Sequence, residues 1–157
     1  FKGDTEKYAL FATNYGISIR YLKTLGEYGD IDGDGDVDID DIKALTPEKA
    51  SQLYFRDYYL PIKANKYKNK LVALHILDHA VNAGVKTGIK VLQRALNVDD
   101  DGVIGNITLS AENNASDNIV QSIINERIKY YNNVVKNNPV LKIFLKGWLN
   151  RVNSTKL

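Results

Sequence analysis

Aspartate dominates the groups in this chain that can do chemistry. The run Asp30-Ile31-Asp32-Gly33-Asp34-Gly35-Asp36-Val37-Asp38-Ile39-Asp40-Asp41 fits a twelve-position calcium loop. Carboxylates fall at positions 1, 3, 5, 9 and 12 (Asp30, Asp32, Asp34, Asp38 and Asp41), and position 7 offers the backbone carbonyl of Asp36. A hard cation asks for such an all-oxygen set. Gly35 stands at position 6, where the chain must turn sharply, and apolar Val37 at position 8 suits an anchor to a core. Seven Asp packed this closely repel one another without a counter-ion, so the pattern implies one structural Ca2+. The spacing consumes the acids as ligands and leaves none of them obviously free for catalysis.

Other reactive residue types are scarce. Cysteine is absent, which excludes disulfides, thiolate zinc sites and cysteine nucleophiles. Only two histidines occur, His75 and His79, at i, i+4. That spacing can hold zinc, but Ile76, Leu77 and Asp78 stand between them, and the His-Glu-x-x-His pattern is missing. Asp78 and Asn82 share a face of the same apolar segment, where an acid reads first as a cap to backbone amides. Glu6 and Asp4 are acids near the start of the chain.

The 157 residues suffice for one ordinary domain with a core, and 44% apolar with 25% charged residues is the balance of a globular protein. No apolar run is long enough to span a bilayer. Net charge is +2, yet residues 30–41 carry −7, leaving +9 for the rest. A body of that sign suits a polyanion such as nucleic acid or a bacterial wall polymer. Phe1 is not an initiator and the chain contains no Met, so we read the N-terminus as processed, excised or truncated. The Asn, Lys, Ile and Tyr content fits a low-GC source, with a phage as one candidate.

The elements that position these residues read as helices. Thr13 to Ser18 is turn-like, with Ser18 able to cap a helix that presents Ile19, Leu22 and Leu25 and ends at Gly26 or Gly29. Thr46-Pro47 opens another, with Ala50, Leu53, Tyr54 and Tyr58 on one face and Pro61 as its stop. Residues 70–83 are apolar on more than one face and predict the central buried helix. Further helices are expected from Thr87 to Leu96, from Asn106 or Thr108, from an Asp117 cap through Ile119, Ile123, Ile124, Ile128 and Tyr131, and from Val140 to Val152 with Phe144 and Trp148 at i, i+4. Strand signals are weak everywhere.

Five segments, in order, carry a resemblance. They are Ala12-Thr13-Asn14-Tyr15-Gly16-Ile17-Ser18, Leu77-Asp78-His79-Ala80-Val81-Asn82-Ala83-Gly84, Ile89 to Leu96, Asp101 to Leu109 and Phe144 to Val152. Together they resemble glycoside hydrolase family 108, N-acetylmuramidases with a predicted peptidoglycan-binding C-terminal part. The calcium loop reads as an insertion, and its Asp41 at position 12 in place of Glu is similar to dockerin loops, which come in pairs.

The resemblance implies a mainly α, lysozyme-like fold, into which the aspartate spacing places one EF-hand-type calcium loop. It divides into a catalytic-type part (1–83) with the loop at 30–41 and a peptidoglycan-binding-like helical part (84–157). It implies cleavage of the β-1,4 bond between N-acetylmuramic acid and N-acetylglucosamine, with a protonated carboxyl as general acid. The family's acid, in a Glu-Gly-Gly motif about 14 residues upstream of Thr13, falls before Phe1. The family's Asp about five residues before that Thr is here Tyr8, and its Gly-Gly pair is here Leu10-Phe11. Three readings stay open: a fragment beginning after the motif, a catalytically inactive wall-binding or virion module, or a rearranged site in which Glu6 or Asp4 serves. The catalytic candidates are Glu6 and Thr13, the latter to hold water or orient substrate. Tyr15, Tyr58 and Asn82 are the substrate-binding candidates, while Gln93, Asp101, Gly105 and Thr108 read as turn-shaping. The expected partner is bacterial peptidoglycan rather than nucleic acid, met outside the cell, in the periplasm or from a virion or larger polypeptide.

Overall fold

The computed structural model describes residues 12–156. The chain separates into two compact units, Phe1–Tyr54 and Phe55–Leu157. Among the described residues it is mainly α, as expected. No described helix is long and apolar enough to cross a membrane.

The first unit begins with a two-stranded hairpin that the sequence did not announce. Strands β1 (Thr13–Asn14) and β2 (Ile17–Ser18) pair antiparallel, Thr13 opposite Ser18 and Asn14 opposite Ile17. The turn between them, Tyr15-Gly16, has positive φ at both residues (51° and 76°), as a twist-matched two-residue hairpin requires. Gly16 is doubly constrained there, because a Cβ would also sit 2.8 Å from the Tyr54 hydroxyl. Ser18 then caps α1 (Ile19–Thr24) by accepting from the Tyr21 N–H, as read from the sequence. A 3₁₀ turn, Gly26–Gly29, leads into the acidic loop.

Helix α2 (Ile39–Ala44) emerges from that loop through a capping box. Asp38 accepts from the start of the helix while the Asp41 carboxylate reaches back to the Asp38 N–H at 2.6 Å. The sequence reading missed this helix because it assigned both acids to a cation. Helix α3 (Pro47–Tyr54) follows, with the Thr46 hydroxyl accepting from the Lys49 N–H. Ile17, Ile19, Leu22, Ile42, Leu45, Ala50 and Leu53 close the core of this unit.

The chain then runs through a π-helical turn, Phe55–Tyr59, in which the Leu60 N–H reaches the Phe55 carbonyl. The wider turn breaks the 3.6 period on which the Thr46-Pro47 helix was expected to continue. Tyr54 packs with the core of the first unit and Tyr58 with that of the second, so they do not share one face of one helix.

The second unit is built around α4 (Lys70–Ala83), capped by Asn69, whose side chain accepts from the Leu71 and Val72 N–H groups. Val72, Ile76 and Ala80 are fully buried, which bears out its central place. Helix α5 (Val85–Ala95) begins two residues earlier than expected and packs along α4. Helices α6 (Asn106–Asn114), α7 (Ile119–Asn137) and α8 (Lys142–Ser154) complete the unit, with α7 against α4 and α5 and α8 against α7. The inward stripe of α7 differs from expectation. Ile119, Ile123, Arg127 and Tyr131 are the buried residues, and Ile124 and Ile128 are only partly covered. Asp117 does not cap it, since the N-cap is Asn118 with no side-chain bond.

Candidate functional site

The acidic loop is organised by its own carboxylates. Asp30 accepts from the Gly33 and Gly35 N–H groups at 2.7 and 2.9 Å, Asp32 from Asp34 at 3.2 Å, and Asp34 from Asp36 at 3.1 Å. Gly35 has φ 98°, the sharp turn expected at position 6. Asp41 is 1% exposed and closes the loop. One of its oxygens takes the Ile31 and Asp32 N–H groups at 2.6 and 3.3 Å, and the other takes that of Asp38. Two carboxylate groups, Asp30–Asp32–Asp41 and Asp36–Asp38–Asp41, each bring their oxygens within 4.8 Å of one another and share Asp41. Asp34 belongs to neither. Mutual repulsion leaves its mark: the Asp36 carboxyl is raised above its ordinary value, first by Asp34, and that of Asp32 is raised by local desolvation and its acidic neighbours.

The described family-type site candidates belong to both units. Glu6 and Asp4 lie outside the described residues. Thr13 is exposed on β1, and Tyr15 is 49% exposed at the hairpin turn, where its carbonyl accepts from the Tyr54 hydroxyl at 2.9 Å. In the second unit Tyr58 packs against the core and Asn82 stands on the last turn of α4. The Asn82 amide donates to the Tyr131 hydroxyl at 2.6 Å, at the mouth of a small aromatic pocket with Tyr130 and Trp148.

A buried charged cluster holds α4 to α7. Arg127 is completely buried and pairs with Asp78, which also takes the Arg151 guanidinium of α8 at 2.8 Å. Asp78 therefore does not cap backbone amides; two guanidinium groups claim its oxygens. Arg127 also donates to His75 Nδ1 at 2.8 Å. Because a guanidinium only donates, that nitrogen is the acceptor and the imidazole proton resides on Nε2. Burial, reinforced by Arg127 and opposed by Asp78, pushes His75 down to about 4. The same causes, with Arg151 added, push His79 down to about 3. Both histidines are neutral core residues, His79 lying edge-on to Tyr130 and Tyr131. Arg127 escaped the sequence reading, although a basic residue at the midpoint of the Ile123–Tyr131 stripe was the available signal.

Gln93 is a second staple. Its buried amide donates to Asp101 (2.8 Å), the Val103 carbonyl (3.0 Å) and Thr108 (3.2 Å), and accepts from the Gly102 N–H (2.9 Å). These residues shape a turn, as expected from the sequence. Glu112 on α6 does the same for the approach to α4, taking the Lys68 and Asn69 N–H groups at 2.9 Å each.

Comparison with known proteins places this architecture. A family model described as glycosyl hydrolase 108 matches residues 3–84, and one described as a predicted peptidoglycan domain matches residues 87–153. The solved structure of SagA from Brucella abortus is similar, at 30% identity and a TM-score of 0.72, covering 91% of this chain and 76% of that one. No curated protein matches the chain. With more than half of its residues matched by the first model and a solved relative aligned over most of both chains, the chain belongs to the glycosyl hydrolase 108 family.

Proposed function

We propose that the chain is a peptidoglycan hydrolase that cleaves the β-1,4 bond between N-acetylmuramic acid and N-acetylglucosamine in bacterial cell wall. The observation that carries this reading is the end-to-end match of a glycosyl hydrolase model and a peptidoglycan-domain model along one chain. Such cleavage needs a carboxylic acid to protonate the leaving oxygen and a second group to stabilise positive charge or aim water. Glu6 takes the first role within this chain and Thr13 the second, its exposed hydroxyl standing on the hairpin next to Tyr15. Tyr15, Tyr58 and Asn82 hold the glycan. The enzyme works where wall is exposed, outside the cell, in the periplasm or at a virion.

The test is mass spectrometry of muropeptides released from purified peptidoglycan. Products ending in N-acetylmuramic acid are expected, and Glu6→Gln should abolish them with the melting temperature unchanged. Wall binding without products means a non-catalytic module, and products from Glu6→Gln eliminate Glu6.

The acidic loop holds one structural Ca2+ through Asp30, Asp32, Asp34, Asp38 and Asp41 with the Asp36 carbonyl. The twelve-position pattern and the clustering of carboxylate oxygens support it. The cation would neutralise the loop and supply no chemistry to the cleavage.

A further inference from the structure

The second unit carries a small pocket beside Asn82, one of the residues proposed above to hold the glycan. Asn82 and Ala83 at the end of α4, Tyr130, Tyr131 and Val134 on α7, and Trp148 on α8 line it. Its volume is about 90 Å3. Pockets that enclose a whole small ligand run to about 300–1,000 Å3, so this one takes a single substituent of a larger molecule. None of the six lining residues is charged, which favours a neutral substituent over a carboxylate or phosphate.

Packed aromatic rings build the walls. The rings of Tyr131 and Trp148 stack at 5.1 Å and 24°, and Tyr130 meets Tyr131 edge-on at 5.2 Å. His79, fully buried, backs both tyrosines. Phe144, half exposed and 5.8 Å from Trp148, extends the apolar rim outward. Asn82 is oriented by its bond to the Tyr131 hydroxyl, and its side-chain carbonyl has no partner among the described residues. An oriented amide acceptor beside an apolar recess flanked by aromatic rings matches a group with an N–H and a methyl. The rim can then take the apolar face of the sugar ring that bears it.

We infer that this pocket is a glycan-binding subsite that seats the acetamido group of an N-acetylated sugar, with Asn82 accepting from the acetamido N–H. The choice of a wall glycan as ligand rests on the peptidoglycan reading above.

Trp148 is the only tryptophan in the chain, so its fluorescence reports on this pocket directly. Titrating the full chain with tetra-N-acetylchitotetraose should shift the emission saturably, and cellotetraose, with hydroxyls in place of acetamido groups, should not. Asn82→Ala should weaken the midpoint about tenfold through loss of the acceptor. Ala83→Leu fills the recess, leaves the Asn82–Tyr131 bond in place, and should abolish the response. Should Asn82→Ala melt early, Ala83→Leu still decides. Equal responses to both sugars, no response, or an unaltered Ala83→Leu titration overturns the assignment, and so does a response to a free stem peptide alone. Muropeptide release measured in parallel separates the two readings. Products without a Trp148 response overturn the subsite alone, and a response without products overturns the hydrolase alone.

Discussion

Two loops of this molecule present clustered aspartates and are closed by one buried polar side chain, yet they solve the charge problem in opposite ways. In the loop at 99–105, Asp100 pairs with Arg94 at 2.6 Å, Asp101 caps the Val103 N–H, and neutral Gln93 holds the whole turn. Protein donors stabilise these carboxylates, so the Asp100 and Asp101 carboxyls lie below the ordinary value. In the loop at 30–41 the staple is itself an acid, Asp41. Local desolvation and then the neighbouring carboxylates raise the Asp32 carboxyl above the ordinary value, and Asp34 first of all raises that of Asp36. The same side chain is stabilised where the fold provides donors and destabilised where it provides more acid. The loop at 99–105 is complete as the chain makes it; the loop at 30–41 keeps its carboxylates clustered, and it is there that we propose a cation.

Acid separates the two regions most strongly. His75 and His79 are neutral in the fold, lowered to about 4 and about 3, and each binds a proton in the unfolded chain below about pH 6.5. The unfolded state therefore takes up more protons on acidification, and the stability present above that value is lost as pH falls towards the folded values. Going from about pH 6.5 to about pH 5, the second unit should lose roughly 3 kcal/mol. The loop at 30–41 responds with the other sign. The raised Asp32 and Asp36 carboxyls bind protons more readily in the fold, so repulsion there is relieved as pH falls into the carboxylate range. Amide hydrogen exchange should show protection falling at Val72 to Ala80 well before it falls at Ile42 to Leu53. Parallel loss in both would break the comparison.

Removing the staples comes next. Asp41→Ala leaves the Ile31, Asp32 and Asp38 N–H groups without their acceptor and should cost about 3 kcal/mol. Gln93→Ala strips one acceptor and one amide donor from its loop and should cost about 2 kcal/mol, both read by denaturant melts of the single variants. Calcium sharpens the contrast further. At about a hundred times its Kd it should add about 2.7 kcal/mol to the first unit, reversed by chelation and absent in Asp30→Ala with Asp34→Ala. A melt indifferent to both calcium and chelator removes the cation from the account. The smallest effect is Arg94→Gln, which breaks a solvent-exposed pair and should cost below about 1 kcal/mol.

Helix content and the central place of residues 70–83 were legible because apolar spacing reports directly on which face is buried. The Ser18 cap, the turn at Gly16 and the Gln93 turn were legible too, each being a local requirement on the backbone. The hairpin was not, since two residues per strand are too short for an alternating pattern to register. Helix α2 was hidden by its own acids, which serve equally as cap and as ligand.

The sequence by itself determined a mainly α chain, an acidic loop of calcium-ligand spacing and membership of a family, because these rest on periodicity and local order. Only the tertiary structure decided that Arg127 is buried between His75 and Asp78, that both histidines are core, and that Asn82, Tyr130 and Trp148 meet around one pocket. The ion-pair and hydrogen-bond partners of that cluster lie on different helices, from about fifty to seventy residues apart, and no local propensity records which faces will meet when helices pack.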